Sequence, residues 1–335
     1  MNACPSFGQL LVLPHLRVQN ANAISSPLTH GFPSMTAFLG LMWALQRKAQ
    51  AAGLGIRFKA VGVVCHDHQE QATRGGFVRT FHLSRNPVGK DGGSAAIVEE
   101  GRIHLELSLV FAADCPGWNQ DDARDQDLAA LADLLAGMRI AGGSVLPAAE
   151  PWRHRNRPWS LDLTGTEQDR SAAFRKARMR LLPGFALVGR DDVLDQRLRE
   201  LQKGNPDASR LEAWLSLARI NWRWSPPEGS DKGGWHNDRT GRGWIVPIPV
   251  GYGALGALQL PGSVANARDP TTPFRFVESL YSAGEWLSPH RLAEAEQLLW
   301  YADTHVESGL YRCRNDHVRP ADDALLDEVH EFDLS

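Results

Sequence analysis

Cys65-His66-Asp67-His68 is the densest run of side chains able to ligate a metal or move a proton, and it closes an apolar segment that reads as a strand. Alternate residues of a strand share a face, so His66 and His68 could converge on one ion. A tetrahedral site needs partners from elsewhere, and Cys115 or another histidine could supply one. No second paired cluster occurs, and polar residues leaving a strand are the commoner use of such a run, so no metal site is expected. Gly251-Tyr252-Gly253-Ala254-Leu255-Gly256 has the GxGxxG spacing of a dinucleotide turn, with Asp269 downstream for a ribose contact. Pro247 and Pro249 interrupt the strand before it, and Pro261-Gly262 leaves no room for the helix whose N-terminus would hold the pyrophosphate. The spacing is a decoy. With neither Gly-x-Ser-x-Gly nor a phosphate-cradling Gly-Lys-Ser/Thr turn, the chain has no positive signature of catalysis and no expected cofactor.

Chemistry suited to binding is easier to find. Arg153, Arg155 and Arg157 with Trp152 and Trp159, then Arg170, Arg175, Lys176, Arg178 and Arg180, concentrate positive charge in a chain of formal net charge -3. Such a run suits a phosphate backbone with indoles stacking on bases. It equally suits a solvated helix face over buried rings, because 11 tryptophans cannot all be ligand contacts. Asn20-Ala21-Asn22-Ala23-Ile24-Ser25-Ser26-Pro27-Leu28-Thr29 presents amides and hydroxyls at a strand end, and Gly31-Phe32-Pro33-Ser34 leads into helix N-terminal amides that favour an anion. Local Asx and Ser/Thr turns would use the same residues. Residue chemistry leaves both alternatives open in both segments.

The elements that must position these residues follow from periodicity. Leu10, Val12, Leu16 and Val18 fall on one face of a strand, in which Pro14 removes a ladder donor and predicts a bulge. Ser34 stands where an N-cap should be, and Phe38, Leu41, Met42 and Leu45 recur at helical spacing up to Gly53. Residues 56–65 read as a second strand, and Ile103, Leu105, Leu107, Leu109 and Phe111 alternate with polar residues in the clearest strand of all. Between them, residues 77–83 read as a strand running into an exposed loop from Arg85 to Gly93. Leu128, Leu131, Leu134, Leu135 and Met138 give a second helix. This β-α-β-β-α order is the start of a ferredoxin-like unit.

The second half is less regular. Strands are predicted over 181–188, 244–250 and 274–281, helices after Asp191 and around Trp214, and a last helix from Ser288-Pro289 through Trp300. Residues 225–243 read as a surface loop and the acidic tail as solvated.

Composition bounds the answer. At 335 residues and 43% hydrophobic the chain can bury a real core, and its slight negative charge requires nucleic-acid contacts to come from local patches. Four cysteines without CxxC spacing read as reduced thiols of a cytoplasmic protein. The longest apolar run, Phe38 to Leu45, falls far short of the roughly 20 residues of a membrane span, so no membrane partner is expected.

The Asn20–Thr29 block with Gly31-Phe32-Pro33-Ser34 resembles the Csy-two family, the Cas-five-type subunit of type I-F CRISPR complexes. The resemblance continues through Leu83-Ser84-Arg85-Asn86-Pro87, Arg139-Ile140-Ala141-Gly142-Gly143-Ser144, Leu181-Leu182-Pro183-Gly184-Phe185, Gly243-Trp244-Ile245-Val246-Pro247 and Gly284-Glu285-Trp286-Leu287-Ser288-Pro289. It implies an α+β fold with an RRM-like, ferredoxin-like core, an inserted thumb and an elaborated C-terminal α+β region. The expected organisation is a core over 1–150 with the thumb at about 77–100, a basic, mainly helical insertion over 151–242, and C-terminal strands, helix and tail over 243–335. It also implies a non-catalytic subunit that binds the 5′ handle of crRNA, pairs with the large subunit, abuts a backbone subunit, and reaches target DNA only indirectly. Block membership combined with chemistry nominates Asn20, Asn22, Ser25, Ser26, Ser34, Arg85, Lys90, Arg139, Gly142, Gly143, Ser144, Arg153, Arg155, Arg175 and Arg178 as RNA-binding residues. The alternatives are a metal-independent endoribonuclease of repeat RNA using His30, His66 or His82, and an adaptor that touches only protein.

Overall fold

The computed structural model describes residues 3–85, 88–89, 91–94, 96–118, 121–148, 153–226, 233–267 and 269–317. Lys90, Trp152 and the acidic tail, all singled out above, lie outside the described residues.

The first long elements are β1 (Gln9–Asn22), α1 (Met35–Ala51), β2 (Arg57–Glu70), β3 (Arg102–Asp114), α2 (Asp121–Ala136), β4 (Arg139–Ile140) and β5 (Gly143–Leu146). Ser34 caps α1 as expected, its side chain accepting from the Thr36 amide. β3 is the organising strand, pairing antiparallel with β1 on one side and with β2 on the other. With β5 antiparallel to β1, the spatial order is β5-β1-β3-β2. The predicted bulge is present: the β1–β3 register shifts between Leu13 and Leu16, and His15 takes a left-handed φ of 51°.

The sheet does not stop there. After β6 (Trp159–Asp162) and α3 (Glu167–Ala177), β7 (Phe185–Gly189) adds to β2, followed in the sheet by β9 (Val277–Leu287) and β8 (Ile245–Ala254). The edge is completed by β11 (Leu310–Arg314) and β10 (Tyr301–His305), giving 11 strands in one antiparallel sheet. Gly251 and Gly253 are therefore strand residues. A side chain at Gly251 would collide with the Tyr311 carbonyl of β11, so this glycine serves close strand approach.

Apolar residues cover both faces of the sheet's centre. Leu11, Leu13, Leu109 and Phe111 pack with Phe38, Met42 and Leu45 of α1 and Leu131 of α2. The alternate residues Leu10, Val12, Val110 and Ala112 pack with Phe174, Leu181, Leu292 and Leu298 on the other face. Burial on both sides explains why β1 opens on a continuous apolar run. On the outer strands, α4 (Asp191–Gln202) and α5 (Arg210–Leu217) bury Leu194, Ala213 and Trp214 against β8 and β9.

Three expectations change. Residues 288–300 form no α-helix but two 3-10 turns, Pro289–Arg291 and Ala295–Leu298, before Trp300 joins β2 through an isolated bridge to Val61. The segment is held by side chains instead of a helical ladder: Gln297 accepts from the Ala293 and Glu294 amides, and Asn315 donates to the Gln297 and Leu299 carbonyls. The predicted strand over 77–83 is two ribbons. Ala72–Gly75 pairs with Val78–Phe81 around Gly76, and Leu83–Arg85 pairs with Ile97–Glu99. The 225–243 loop starts from a third ribbon, Trp222–Ser225 with Gly234–Asn237.

Arg190 and Glu285 make the deepest ion pair described, at 5% and 0% exposure. Burial by itself would lower the Arg190 pKa, but Asp192 and Glu285 outweigh it and raise it. The prediction is that Glu285→Ala, which strands this guanidinium, costs about 3 kcal/mol, the low end of the range for a broken buried pair because Asp192 remains. Urea unfolding followed by tryptophan fluorescence checks this, and a loss under about 1 kcal/mol contradicts the pairing.

Candidate nucleic-acid interface

A second register shift on β1, between Val18 and Ala21, lifts Asn20 out of the ladder. Asn20 sits in the left-handed region at φ 57°, and its amide donates to His104 Nδ1 at 3.1 Å. The turn joining β4 to β5 lies against it, with Ala141 and Gly142 at φ 47° and 80° and the Asn22 amide donating to the Ala141 carbonyl at 2.9 Å. Gly143 permits this contact, since a Cβ there would stand 2.7 Å from the Ala21 nitrogen.

Bulge and turn form one wall of a polar cleft of about 450 Å³. Asn20, Arg139, Gly142 and Ser144 line it, and Ser84, His82 and Gln71 close the opposite side. The two segments nominated from sequence thus converge, although they are over a hundred residues apart in the chain. Arg139 is exposed and, among the described residues, pairs with no carboxylate, whereas Arg102 on the floor is held by Glu100 at 2.9 Å. The cleft therefore offers one uncommitted cation, amides and exposed backbone.

Other nominated residues are engaged in the chain's own turns. Asn22 closes an Asx turn, donating to the Ile24 carbonyl at 2.7 Å and accepting from its amide at 3.0 Å. Ser25 and Ser26 both hydrogen-bond Thr29 Oγ1, at 2.8 and 2.6 Å, and Ser34 caps α1. Arg85 is exposed on its ribbon. Arg153 and Arg155 flank or lie in the short turn His154–Asn156, and neither lines the cleft. Arg175 and Arg178, on and just after α3, lie apart from it too. Arg178 has its pKa lowered by burial first and then by the neighbouring Arg175 charge. Trp159 is covered by the Arg180 guanidinium at 4.0 Å.

Residues that pattern reading missed are Arg102 and Gln71. The signal was available for Arg102: it starts the polar phase of β3, the face opposite the apolar alternation.

The three histidines weighed as acid or base do not share one site. His82 lines the polar cleft, while His30 and His66 line a larger cavity beyond the end of β7. His66 stacks on His15 at 4.2 Å, its Nδ1 lies 2.6 Å from the Pro183 carbonyl and its Nε2 2.6 Å from Ser108 Oγ. A neutral ring satisfies both contacts, with Nδ1–H donating to the carbonyl and Nε2 accepting from the hydroxyl. Burial pushes the Cys4, Cys65, Cys115 and Cys313 thiols up to about 12, leaving them protonated and poor metal ligands near neutral pH. Among the described residues no group of three His, Cys, Asp or Glu side chains could hold a metal, and no helix is long and apolar enough to cross a membrane.

Comparison with known proteins assigns the class: the family described as CRISPR-associated protein (Cas_Csy2) matches residues 11–313. The CRISPR-associated protein Csy2 of Pseudomonas aeruginosa (strain UCBPP-PA14) is 48% identical over 316 residues, covering 90% of this chain and 94% of its own. The chain belongs to the Csy2 family, which makes it a subunit of the type I-F CRISPR Csy complex in antiviral defence.

The His66 contacts carry a pH prediction. Burial, first, and then the charges of His15 and Arg155 lower its pKa below the ordinary 6.5, against the opposing pull of the Pro183 carbonyl and Glu106. The unfolded chain therefore binds the proton more readily, so the contribution is complete above pH 6.5 and is lost as pH falls below it toward the folded value. Urea midpoints should drop from about pH 7.5 to about 5.5, and His66→Gln should flatten that slope. An unchanged slope in the variant contradicts the assignment.

Proposed function

We propose that this chain is the non-catalytic subunit that holds the 5′ handle of the guide RNA in the Csy complex, paired with the large subunit and beside the first backbone subunit. The observation that carries the reading is the convergence of the Asn20 bulge, the Gly142 turn and the uncommitted Arg139 on one polar cleft. Single-stranded RNA is read through unstacked bases, whose edges need such amides and exposed backbone groups, while a nearby cation holds the phosphate.

On this reading the β5-β1-β3-β2 order, antiparallel throughout and with α1 and α2 in the two crossovers, is a ferredoxin-like unit of the RRM type. The ribbons Ala72–Phe81 and Leu83–Glu99 then act as a thumb over the RNA, and the arginines near α3 supply sequence-independent attraction to its backbone. Target DNA is reached through the assembled complex, in the cytoplasm.

Asn20→Gly tests the base-reading role without straining the left-handed backbone, because glycine tolerates that φ. In the heterodimer with the large subunit, it should narrow the preference for a cognate over a scrambled handle by about 1–3 kcal/mol, if the lost contact resembles a bidentate base contact. Arg175→Ala/Arg178→Ala should weaken both RNAs alike and flatten the salt slope by roughly 0.7 per lost phosphate contact. Equal losses for both RNAs in Asn20→Gly would reduce the bulge to a structural turn. Cleavage of handle RNA that vanishes in His82→Ala would replace the binding reading with an enzymatic one.

A further inference from the structure

β2 is paired to β3 from Arg57 to Glu70, but to β7 only at Val64 and Cys65. A register shift between Cys65 and Asp67 then turns β2 away, and the sheet splits. The gap is a cavity of about 780 Å³, inside the range of roughly 300–1,000 Å³ typical of small-ligand sites.

Its two sides differ in chemistry. One side is an aromatic wall: Phe185 meets Trp244 edge-on at 5.4 Å, Trp244 lies 6.5 Å from Trp286, and Trp286 meets Phe32 edge-on at 4.9 Å. Trp244 and Phe185 remain 53% and 44% exposed, so ring faces are left for a further partner. The other side joins the end of β2, where Asp67 accepts from the His68 amide and Glu70 is bonded to His30 at 3.0 Å, to the ribbon Ala72–Phe81, which sets Arg74 and Arg79 directly opposite one another. Both are exposed, and among the described residues neither pairs with a carboxylate. Like charges at directly opposed positions repel across a ribbon, and a two-stranded ribbon is marginal on its own. An anion between the two guanidiniums would reverse that repulsion.

We infer that the cavity receives an unstacked base of single-stranded RNA on the Trp244 wall, with an adjoining phosphate held between Arg74 and Arg79. This rests on the guide-RNA reading and adds to it a second site, separate from the polar cleft. Both halves of a nucleotide are matched: a π-face for the base and a forked cation pair for the phosphate. The free edge of β2 from His66 to Glu70 could alternatively pair with an extended peptide, and the test separates that occupant.

The heterodimer with the large subunit is purified as wild type, Trp244→Ala, Trp244→Phe and Arg74→Glu/Arg79→Glu, and titrated with guide RNA labelled at its 3′ end. Trp244→Ala should weaken binding roughly 5- to 150-fold, the span of base–aromatic stacking losses, with most affinity returned by Trp244→Phe. The double charge reversal should weaken binding and lower the salt slope by roughly 0.7 per phosphate contact. Ultraviolet cross-linking should join one guide nucleotide to the peptide carrying Trp244. Unchanged affinity in both variants while the wild type binds guide overturns the cavity assignment alone. Loss of the large subunit from RNA-free Trp244→Ala preparations overturns it in favour of a peptide. A wild-type heterodimer that binds no guide RNA at all fails the underlying reading instead.

Discussion

β3 runs as a regular strand through the middle of the sheet, and its two neighbours cannot follow it without gaining residues. The register shifts at Leu13/Leu16 and Val18/Ala21 on β1 and at Cys65/Asp67 on β2, with one more on β2 at Phe58/Ala60, are where that mismatch is absorbed. A bulge re-aims side chains and bends its strand, and the first three of these border a feature with chemistry. The first sets His15 over His66, the second opens the polar cleft at Asn20, and the third parts β2 from β7 to leave the aromatic cavity. Replacing β1 and β2 by regular strands would keep the core and erase all three.

The bulges are tolerable because the rest of β3 is so firmly packed. Its inward residues Leu107, Leu109 and Phe111 are fully buried under α1 and α2, and Val110 and Ala112 are buried under the α3 side. Apolar cover ends near Glu106, and from there toward Arg102 the polar phase of the strand is uncovered. Polar and cationic groups thus collect at one end of the sheet, close to the exposed ribbons. A protein of slight net negative charge can attract RNA at such an end through a few uncommitted arginines, without a global field.

Local signals were legible where the deciding interaction is local. Pro14 announced its bulge, Ser34 its cap, and the alternation from Ile103 to Phe111 its strand, since each depends on a few neighbouring residues. The adjacency of Asn20 and Gly142 was reachable through the order of elements, because a fourth strand beside the first brings that turn to that strand end. What failed depends on distant partners. Residues 288–300 have a proline and apolar spacing fit for a helix, but Gln297, Asn315 and the Val61 bridge decide their path. Asn22 and Ser26, by contrast, bond to near neighbours, Ile24 and Thr29, in the local turns that the sequence had left open as an alternative. Within the arginine–tryptophan run, Arg180 covers Trp159 while the Arg155 charge helps to lower the His66 pKa. The cavity was invisible because its walls come from segments over a hundred residues apart.

The central claim is that the β1 bulge and the β4–β5 turn hold the guide's 5′ handle. Hydrogen–deuterium exchange of the heterodimer, with and without a cognate handle RNA, tests it at the backbone itself. The account predicts slowed exchange in peptides covering residues 19–22 and 139–144 on adding the cognate handle, with less slowing by a scrambled one. Unchanged exchange in both peptides, with protection confined to the α3 arginines, would contradict it.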